Sequence, residues 1–280
     1  MFFGHGTDNA RDEAAELVFF VAKLDHASGP SAYSHRLTAR QRARIDTLLR
    51  ERIRRRVPLA YLTHRAFFAG LELFVDSRVL VPRSPIAELT LASFAPWIDA
   101  RRVRRIVDIG TGSGAIALAC AQAFPRAQVD ALDISRDALQ VCRRNIRRCG
   151  FAGRVHARMS DHLDAVRGTR YDIVVSNPPY VGRAEMRTLP REYRREPRLG
   201  LESGVDGLNS VRVILRDARM HLQDHGILVV EVGNTERALL KAWPRLPFIW
   251  PTFERGAGGV FILRASDLNS FEELSERVRQ

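Results

Sequence analysis

Lysine is nearly absent from this 280-residue chain: Lys23 and Lys241 are the only two, so a formal charge of +12 rests on arginine. Long apolar runs are missing too. No stretch approaches the roughly 20 residues that a bilayer-spanning helix needs, which excludes such a helix and leaves no membrane partner to expect. The opening MFFGHGTDNARDE has no basic segment followed by an apolar one, and we expect a cytoplasmic protein. Cysteine is scarce: Cys120, Cys142 and Cys149 fall in helical patterns without metal-ligand spacing. An odd number of scattered thiols fits neither a disulfide framework nor a metal site, and no metal is expected. Internal repeats and low-complexity segments are also lacking.

The arginine excess points in two directions. A cationic surface gains by displacing counterions from phosphates, which suits nucleic acid or a partner bound to it. Arginine-rich coding on a solvated face accounts for the same charge. The 45% hydrophobic and 27% charged content is ordinary for a soluble protein, and the length suits one sizeable α/β domain with a smaller companion.

Residues 9–62 carry helical periodicity. In DEAAELVFFVAKL, Leu17, Phe20, Val21 and Leu24 form one apolar stripe; after the SGPSAY loop, Ile45, Leu48, Leu49 and Ile53 form a second. Thr38 is the expected N-cap of that second helix and Pro58 its stop. Residues 66–84 read as a linking hairpin turning at VDSR. From about residue 103 onward, apolar strands alternate with glycine turns and helices, closing on PFIWPTFE and GGVFILRA as a terminal strand pair, before a polar tail from Ser266 expected to fray. This alternation predicts an α/β fold with a mostly parallel, doubly wound sheet and a ligand site at the carboxyl ends of its strands.

Two chemical signals fall on those strand ends. In VDIGTGSGAIA, Gly110, Gly112 and Gly114 occupy the first strand-to-helix turn, where glycine permits positive φ and a close backbone approach to a ligand. The spacing is not the G-x-G-x-x-G of dinucleotide folds, which argues against a nicotinamide cofactor. Asp108, two residues before the first glycine, suits a ligand bearing an ammonium or sulfonium charge. Asp133, about 20 residues beyond the turn, stands where a carboxylate accepts hydrogen bonds from ribose, and Asp161 with His162 ends the next strand. This order matches the nucleoside site of class I S-adenosylmethionine-dependent methyltransferases.

The second signal is Asn177-Pro178-Pro179-Tyr180, where the apolar strand YDIVVS stops. Asn177 offers a carbonyl acceptor, and Pro178 a backbone carbonyl with no N–H of its own. Two rigid acceptors can take both hydrogens of a planar NH₂ group. They polarise its N–H bonds and aim its out-of-plane lobe at a methyl carbon, while Tyr180 covers the flat face. A glutamine amide and an exocyclic adenine amine present the same geometry, so the turn alone leaves both open.

DIGTGSGAIA followed by SNPPY resembles the amino-methyltransferases. With FFAGLELFVDSRVLVPRSPIAEL and EPRLGLESGVDGLNSVRVIL, the chain resembles the HemK-like protein-glutamine N(5)-methyltransferases over nearly its whole length. The resemblance implies a class I methyltransferase fold, Rossmann-like with an antiparallel terminal strand pair, over 85–280. It implies a helical substrate-recognition domain over 1–65. The implied donor is S-adenosyl-L-methionine, leaving S-adenosyl-L-homocysteine. Gly110, Thr111, Gly112 and Gly114 would wrap its methionine part, Asp133 would hold its ribose, Asp161 and His162 would border its adenine, and Ile134 would also belong to the donor site. Asn177 and the Pro178 carbonyl would grip the amide beside Pro179 and Tyr180. Phe68, Arg83 and Glu88 would border the substrate.

Release-factor enzymes of this family read Pro-Arg-Pro-Glu-Thr-Glu after the hairpin, whereas this chain reads Pro82-Arg83-Ser84-Pro85-Ile86-Ala87-Glu88. The departure is similar to the branch acting on large-subunit ribosomal protein number three. The expected partner is therefore that ribosomal protein in an assembly intermediate, with ribosomal RNA meeting the arginine-rich faces. Residues 183–198, with six arginines and three glutamates, are the expected lid or partner surface. Release-factor methylation, N(6)-adenine methylation and a non-catalytic RNA-binding or assembly role are the competing readings.

Overall fold

Three N-terminal helices open the chain in the computed structural model, which describes all residues except 8, 26–28, 30–31, 255–257 and 270–280. Helix α1, Ala10–Ala22, is capped by Asn9, whose side chain accepts from the Arg11 and Asp12 amides. Helix α2, Ala39–Arg55, starts at the expected Thr38, which exchanges hydrogen bonds with Gln41 in a capping box. It ends before Pro58, because Arg56 turns into the left-handed region at φ 56. Helix α3 is Leu59–Thr63. Leu17, Ile45, Leu48 and Leu59 pack the three together. Half of the SGPSAY loop, residues 28, 30 and 31, lies outside the described residues.

The hairpin is shorter than expected and turns elsewhere. Strands β1, Ala66–Phe68, and β2, Leu71–Leu73, pair antiparallel around Ala69 and Gly70. Both turn residues have positive φ, 47 and 80, as a two-residue hairpin turn demands. VDSR forms a separate turn in which the Asp76 carboxylate takes the Arg78 guanidinium at 2.6 Å. Helix α4 follows at Ile86–Leu91.

The remaining elements alternate: β3 (Arg105–Ile109), α5 (Ala115–Ala123), β4 (Gln128–Asp133), α6 (Arg136–Arg148), β5 (Val155–Met159), β6 (Tyr171–Ser176), α7 (Asn209–Ala218), β7 (Leu222–Glu231), α8 (Glu236–Ala242) and β8 (Val260–Arg264). They form one six-stranded sheet in the order β5-β4-β3-β6-β7-β8, parallel except for the antiparallel β7–β8 edge. Alternate side chains serve opposite faces. Ile106, Ile173 and Val175 join α4 and α5 in one core, while Val107, Val174 and Val230 meet Val211, Ile214 and Leu215 of α7 in another. Of the expected terminal strand pair, GGVFILRA supplies β8, and PFIWPTFE adds a single antiparallel bridge between Ile249 and Ile262. The tail expected to fray from Ser266 instead runs as a helical turn over 265–269 with Leu268 fully buried, and its remainder from 270 onward lies outside the described residues.

Strand order reverses between β3 and β6: the chain moves outward through β4 and β5, then returns to the far side of β3. A crevice opens at the carboxyl ends on either side of such a reversal. The two sequence signals leave the sheet there.

Candidate active site

A cavity of ≈ 410 Å³ opens at this reversal, with Ile109 to Ser113 on one side and Asn177 to Val181 on the other. That volume is within the range of small-molecule sites. Gly110 and Gly112 have φ of +72 and +55, and a Cβ at either would meet no atom within 4 Å. They leave space against the cavity. Gly114 does not: its φ is +85, but a Cβ would lie 2.9 Å from Cys142 Sγ. It serves the packing of α5 on α6 and is absent from the cavity wall, contrary to the expected role around the donor.

Asp133 ends β4 with both carboxylate oxygens held by backbone, Oδ2 by the Gly112 amide and Oδ1 by the Ser135 amide, each at 2.8 Å. Each oxygen has a second lone pair, so acceptor capacity remains toward the cavity. Burial raises this carboxyl above its ordinary range, against the amides of Ser135, Gly112 and Ile134. Ile134, Asp161 and His162 stand on the same rim. His162, at φ 46, turns its Nδ1 to within 2.6 Å of Asp161 Oδ1.

Asp108 corrects a second expectation. It is 1% exposed and lies behind the glycine turn, not in the cavity wall. Its Oδ2 accepts the Thr111 hydroxyl at 2.6 Å and the Ala117 amide at 3.1 Å, joining the turn to the first turn of α5. Its other oxygen has no hydrogen-bond partner among the described residues. Burial pushes the carboxyl up to about 7, which suits a brace for the turn better than a counter-charge for a ligand.

Asn177 follows β6, whose end is tied to β3 by the Ser176 hydroxyl donating to the Ile109 carbonyl at 2.7 Å. The Asn177 side chain lines the cavity with no hydrogen-bond partner among the described residues, beside Pro178, Pro179 and Tyr180.

The Methyltransferase small domain family model matches residues 91–191. The ribosomal protein uL3 glutamine methyltransferase of Xanthomonas campestris pv. campestris is 46% identical over 95% of this chain and 86% of its own length. The protein of the same name from Francisella tularensis subsp. tularensis is 39% identical over 100% of this chain and 90% of its own length. The chain belongs to the ribosomal protein uL3 glutamine methyltransferase family. A methyltransferase structure from Pyrococcus furiosus, 19% identical, superposes with a TM-score of 0.51 over 81% of this chain and 99% of its own, and shows the shared fold. Family and fold imply use of S-adenosylmethionine, and the open glycine turn beside the part-engaged Asp133 fits such a ligand.

In this family member the remaining expected residues divide. Phe68 and Arg83 line the cavity. Glu88 does not reach it; its Oε2 accepts the Glu254 amide at 2.9 Å, fastening α4 to the segment before β8. The Arg83 guanidinium is consumed by Glu196 at 2.6 and 2.7 Å and lies over the Tyr193 ring. It braces the expected lid instead of presenting a free cation to a substrate.

Two residues that bear on the site were missed. Glu231 ends β7 and accepts from Ser84 Oγ at 2.5 Å and Tyr180 Oη at 3.0 Å. A Glu inside the apolar run GILVVEVG was its visible signal. Arg52, 1% exposed, donates to Glu13 at 2.5 Å, to Glu192 at 3.2 Å and to the Phe2 carbonyl at 2.6 Å. It sits among surface arginines in sequence, and only its place between Leu48 and Leu59 in the apolar register marks it as buried.

Proposed function

We propose that this protein transfers a methyl group from S-adenosylmethionine to the side-chain amide nitrogen of a glutamine in ribosomal protein uL3, giving N(5)-methylglutamine. The observation that carries this reading is the unpartnered Asn177 amide beside the Pro178 carbonyl at the strand reversal, in a chain of this family. When bound, S-adenosylmethionine supplies an electrophilic methyl on a sulfonium. Gly110, Thr111 and Gly112 receive its methionine part, Asp133 and Ile134 its ribose, and Asp161 with His162 its adenine.

An amide nitrogen is a weak nucleophile because its lone pair is delocalised into the carbonyl. Asn177 Oδ1 and the Pro178 carbonyl each take one amide hydrogen and hold the NH₂ plane, and such positioning can supply several kcal/mol of a barrier. As positive charge develops on nitrogen both hydrogen bonds strengthen, so they favour the transition state over the bound substrate. Pro179 fixes the backbone of the turn, and the Tyr180 ring covers the amide face. The methylated nitrogen is acidic enough to release its proton without a strong base.

The helical unit over residues 1–65 serves substrate recognition. Arg40, Arg42, Arg44, Arg50 and Arg54 on α2 are exposed, and none has an ion-pair partner among the described residues. This face suits ribosomal RNA beside uL3 in an assembly intermediate, in the cytoplasm. The Ser84-Pro85-Ile86 departure from the release-factor pattern supports uL3 as acceptor. The test is to incubate the protein with labelled S-adenosylmethionine and ribosomes from cells lacking the enzyme, then locate label by mass spectrometry. Label on a uL3 glutamine is expected; label on adenine overturns the reading, and label on a release factor moves the protein to the other branch.

A further inference from the structure

Tyr180 is fixed from three sides. Its hydroxyl donates to Glu231 Oε1 at 3.0 Å. Its ring lies against Gly233, at φ +47, where a Cβ would come within 2.5 Å of a ring carbon. Its carbonyl lies against Gly207, at φ +79, where a Cβ would come within 2.2 Å. A tyrosine that only filled space would not need its polar atoms, its ring and its backbone all gripped by the elements around it.

Glu231 has the same character. It is 6% exposed and lines the cavity. Its second oxygen accepts the Ser84 hydroxyl at 2.5 Å, so the carboxylate joins two segments that are 147 and 51 residues away in sequence. Parallel pairing sets Ser176 of β6 beside Val230 of β7, so Asn177 and Glu231 leave the sheet side by side. Ser84 belongs to the Val81–Ser84 segment, which also lines the cavity and in which Arg83 holds Glu196 of the 183–198 segment. Among the described residues no arginine or lysine donates to Glu231; its hydrogen-bond partners there are these two hydroxyls.

We propose that Glu231 is a positioning residue for methyl transfer: it ties Tyr180 to Ser84 and so sets the distance between the Asn177–Pro178 acceptors and the Val81–Ser84 bank. It touches neither donor nor acceptor nitrogen in this role and acts through Tyr180. Ser84 becomes the residue through which the VPRSPIAE departure reaches the reacting centre, because a proline there would offer Glu231 no hydroxyl. The proposal rests on the reading of Asn177 and Pro178 as the amide-holding pair.

The test is a double-mutant cycle on Glu231→Gln and Tyr180→Phe, assayed with purified uL3 as methyl acceptor and with S-adenosylhomocysteine titrated separately for donor-site affinity. Each single variant is expected to lower kcat about 10- to 100-fold, the scale of a small misplacement of reacting groups, with KM for uL3 and affinity for S-adenosylhomocysteine unchanged. The double variant is expected to be no slower than the slower single, since both break one fixture. Multiplying losses, or a loss of S-adenosylhomocysteine affinity, overturns the proposal. Should Glu231→Gln lower the melting temperature, Tyr180→Phe with Ser84→Ala forms the same cycle through the two hydroxyls, and additive effects there overturn it equally. Asn177→Ala in the same assay keeps the parent reading separate: transfer surviving that change defeats the amide-holding pair, whatever the cycle shows.

Discussion

Behind the glycine wall of the cavity Asp108 is buried against a hydroxyl and an amide and is pushed up to about 7. Across the cavity Glu196 is equally inaccessible and is pushed down to about 2: burial alone would raise it, and the Arg83 and His5 side chains override that. The same chemical group is thus used in two ways. Where neighbours are dipoles, a buried carboxyl drifts toward its neutral form and works as a hydrogen-bonding brace. Where neighbours are guanidinium groups it stays ionised and works as a pin. The glycine wall is short-range, with Thr111 and Ala117 three and nine residues from Asp108. The loop wall is long-range, with Arg52 bound to Glu192 across 140 residues and Arg83 to Glu196 across 113.

If the loop wall is held by charge, removing one charge should cost most there. Arg52→Met strands Glu13 and leaves Glu192 with Arg56, at 3.5 Å, as its cation, and breaking a buried pair in this way costs about 3–5 kcal/mol. Urea denaturation should show that loss as a lower midpoint with the slope unchanged; a loss below about 1 kcal/mol, the value of exposed pairs, would mean that water reaches the site. Asn177→Ala is next in size and acts on function alone. Loss of one preorganised partner of a developing charge costs about 10²–10³ in kcat, while S-adenosylhomocysteine should bind as before. Weakened binding would place Asn177 on the glycine side of the comparison.

The same contrast of range explains what could be read from residues alone. Gly110, Gly112, Asp133 and the Asn177 turn are local patterns on strand ends, and the alternation of strands and helices dictated where those ends converge. Gly114 and Asp108 share the motif yet face inward, because the residues next to a tight turn alternate between ligand and core, and a one-dimensional motif carries no direction. Glu231, Ser84 and Arg52 act through partners more than 35 residues away. No spacing rule links such pairs, and arginines are so abundant in this chain that the buried one has no compositional mark. Asp and Ser make VDSR a favourable turn, but Ala69-Gly70 takes the hairpin by supplying two positive φ angles between strands of matched register.

A smaller effect tests the glycine wall by pH. Because the Asp108 carboxyl titrates at about 7 in the folded chain, against about 3.9 for an unperturbed Asp, the folded state keeps a proton that the unfolded state has released. Stability from this group is fully present below about pH 4 and is lost as pH rises through about 7. Asp108→Asn removes the titration and keeps an acceptor for Thr111. Its melting temperature, compared with the parent chain, should gain steadily from about pH 5 to about pH 8. Parallel melting curves would mean that Asp108 stays ionised and would bring it back as a counter-charge for a bound cation.

The smallest effect separates two glycines of one turn. Alanine at Gly112 or Gly114 must adopt positive φ, at about 1–2 kcal/mol for the backbone alone. At Gly112 nothing stands within 4 Å of the new methyl, so the stability loss should stop there and the methyl should fall in the space open to the donor. At Gly114 the methyl would press on Cys142 Sγ at 2.9 Å and Leu118 at 3.5 Å, adding overpacking between α5 and α6. Gly114→Ala is therefore expected to melt lower than Gly112→Ala yet bind S-adenosylhomocysteine better. Thermal melts and titrations on the same two variants check both orders. The reverse ranking in affinity would return Gly114 to the ligand side of the turn and leave Gly112 as the packing position.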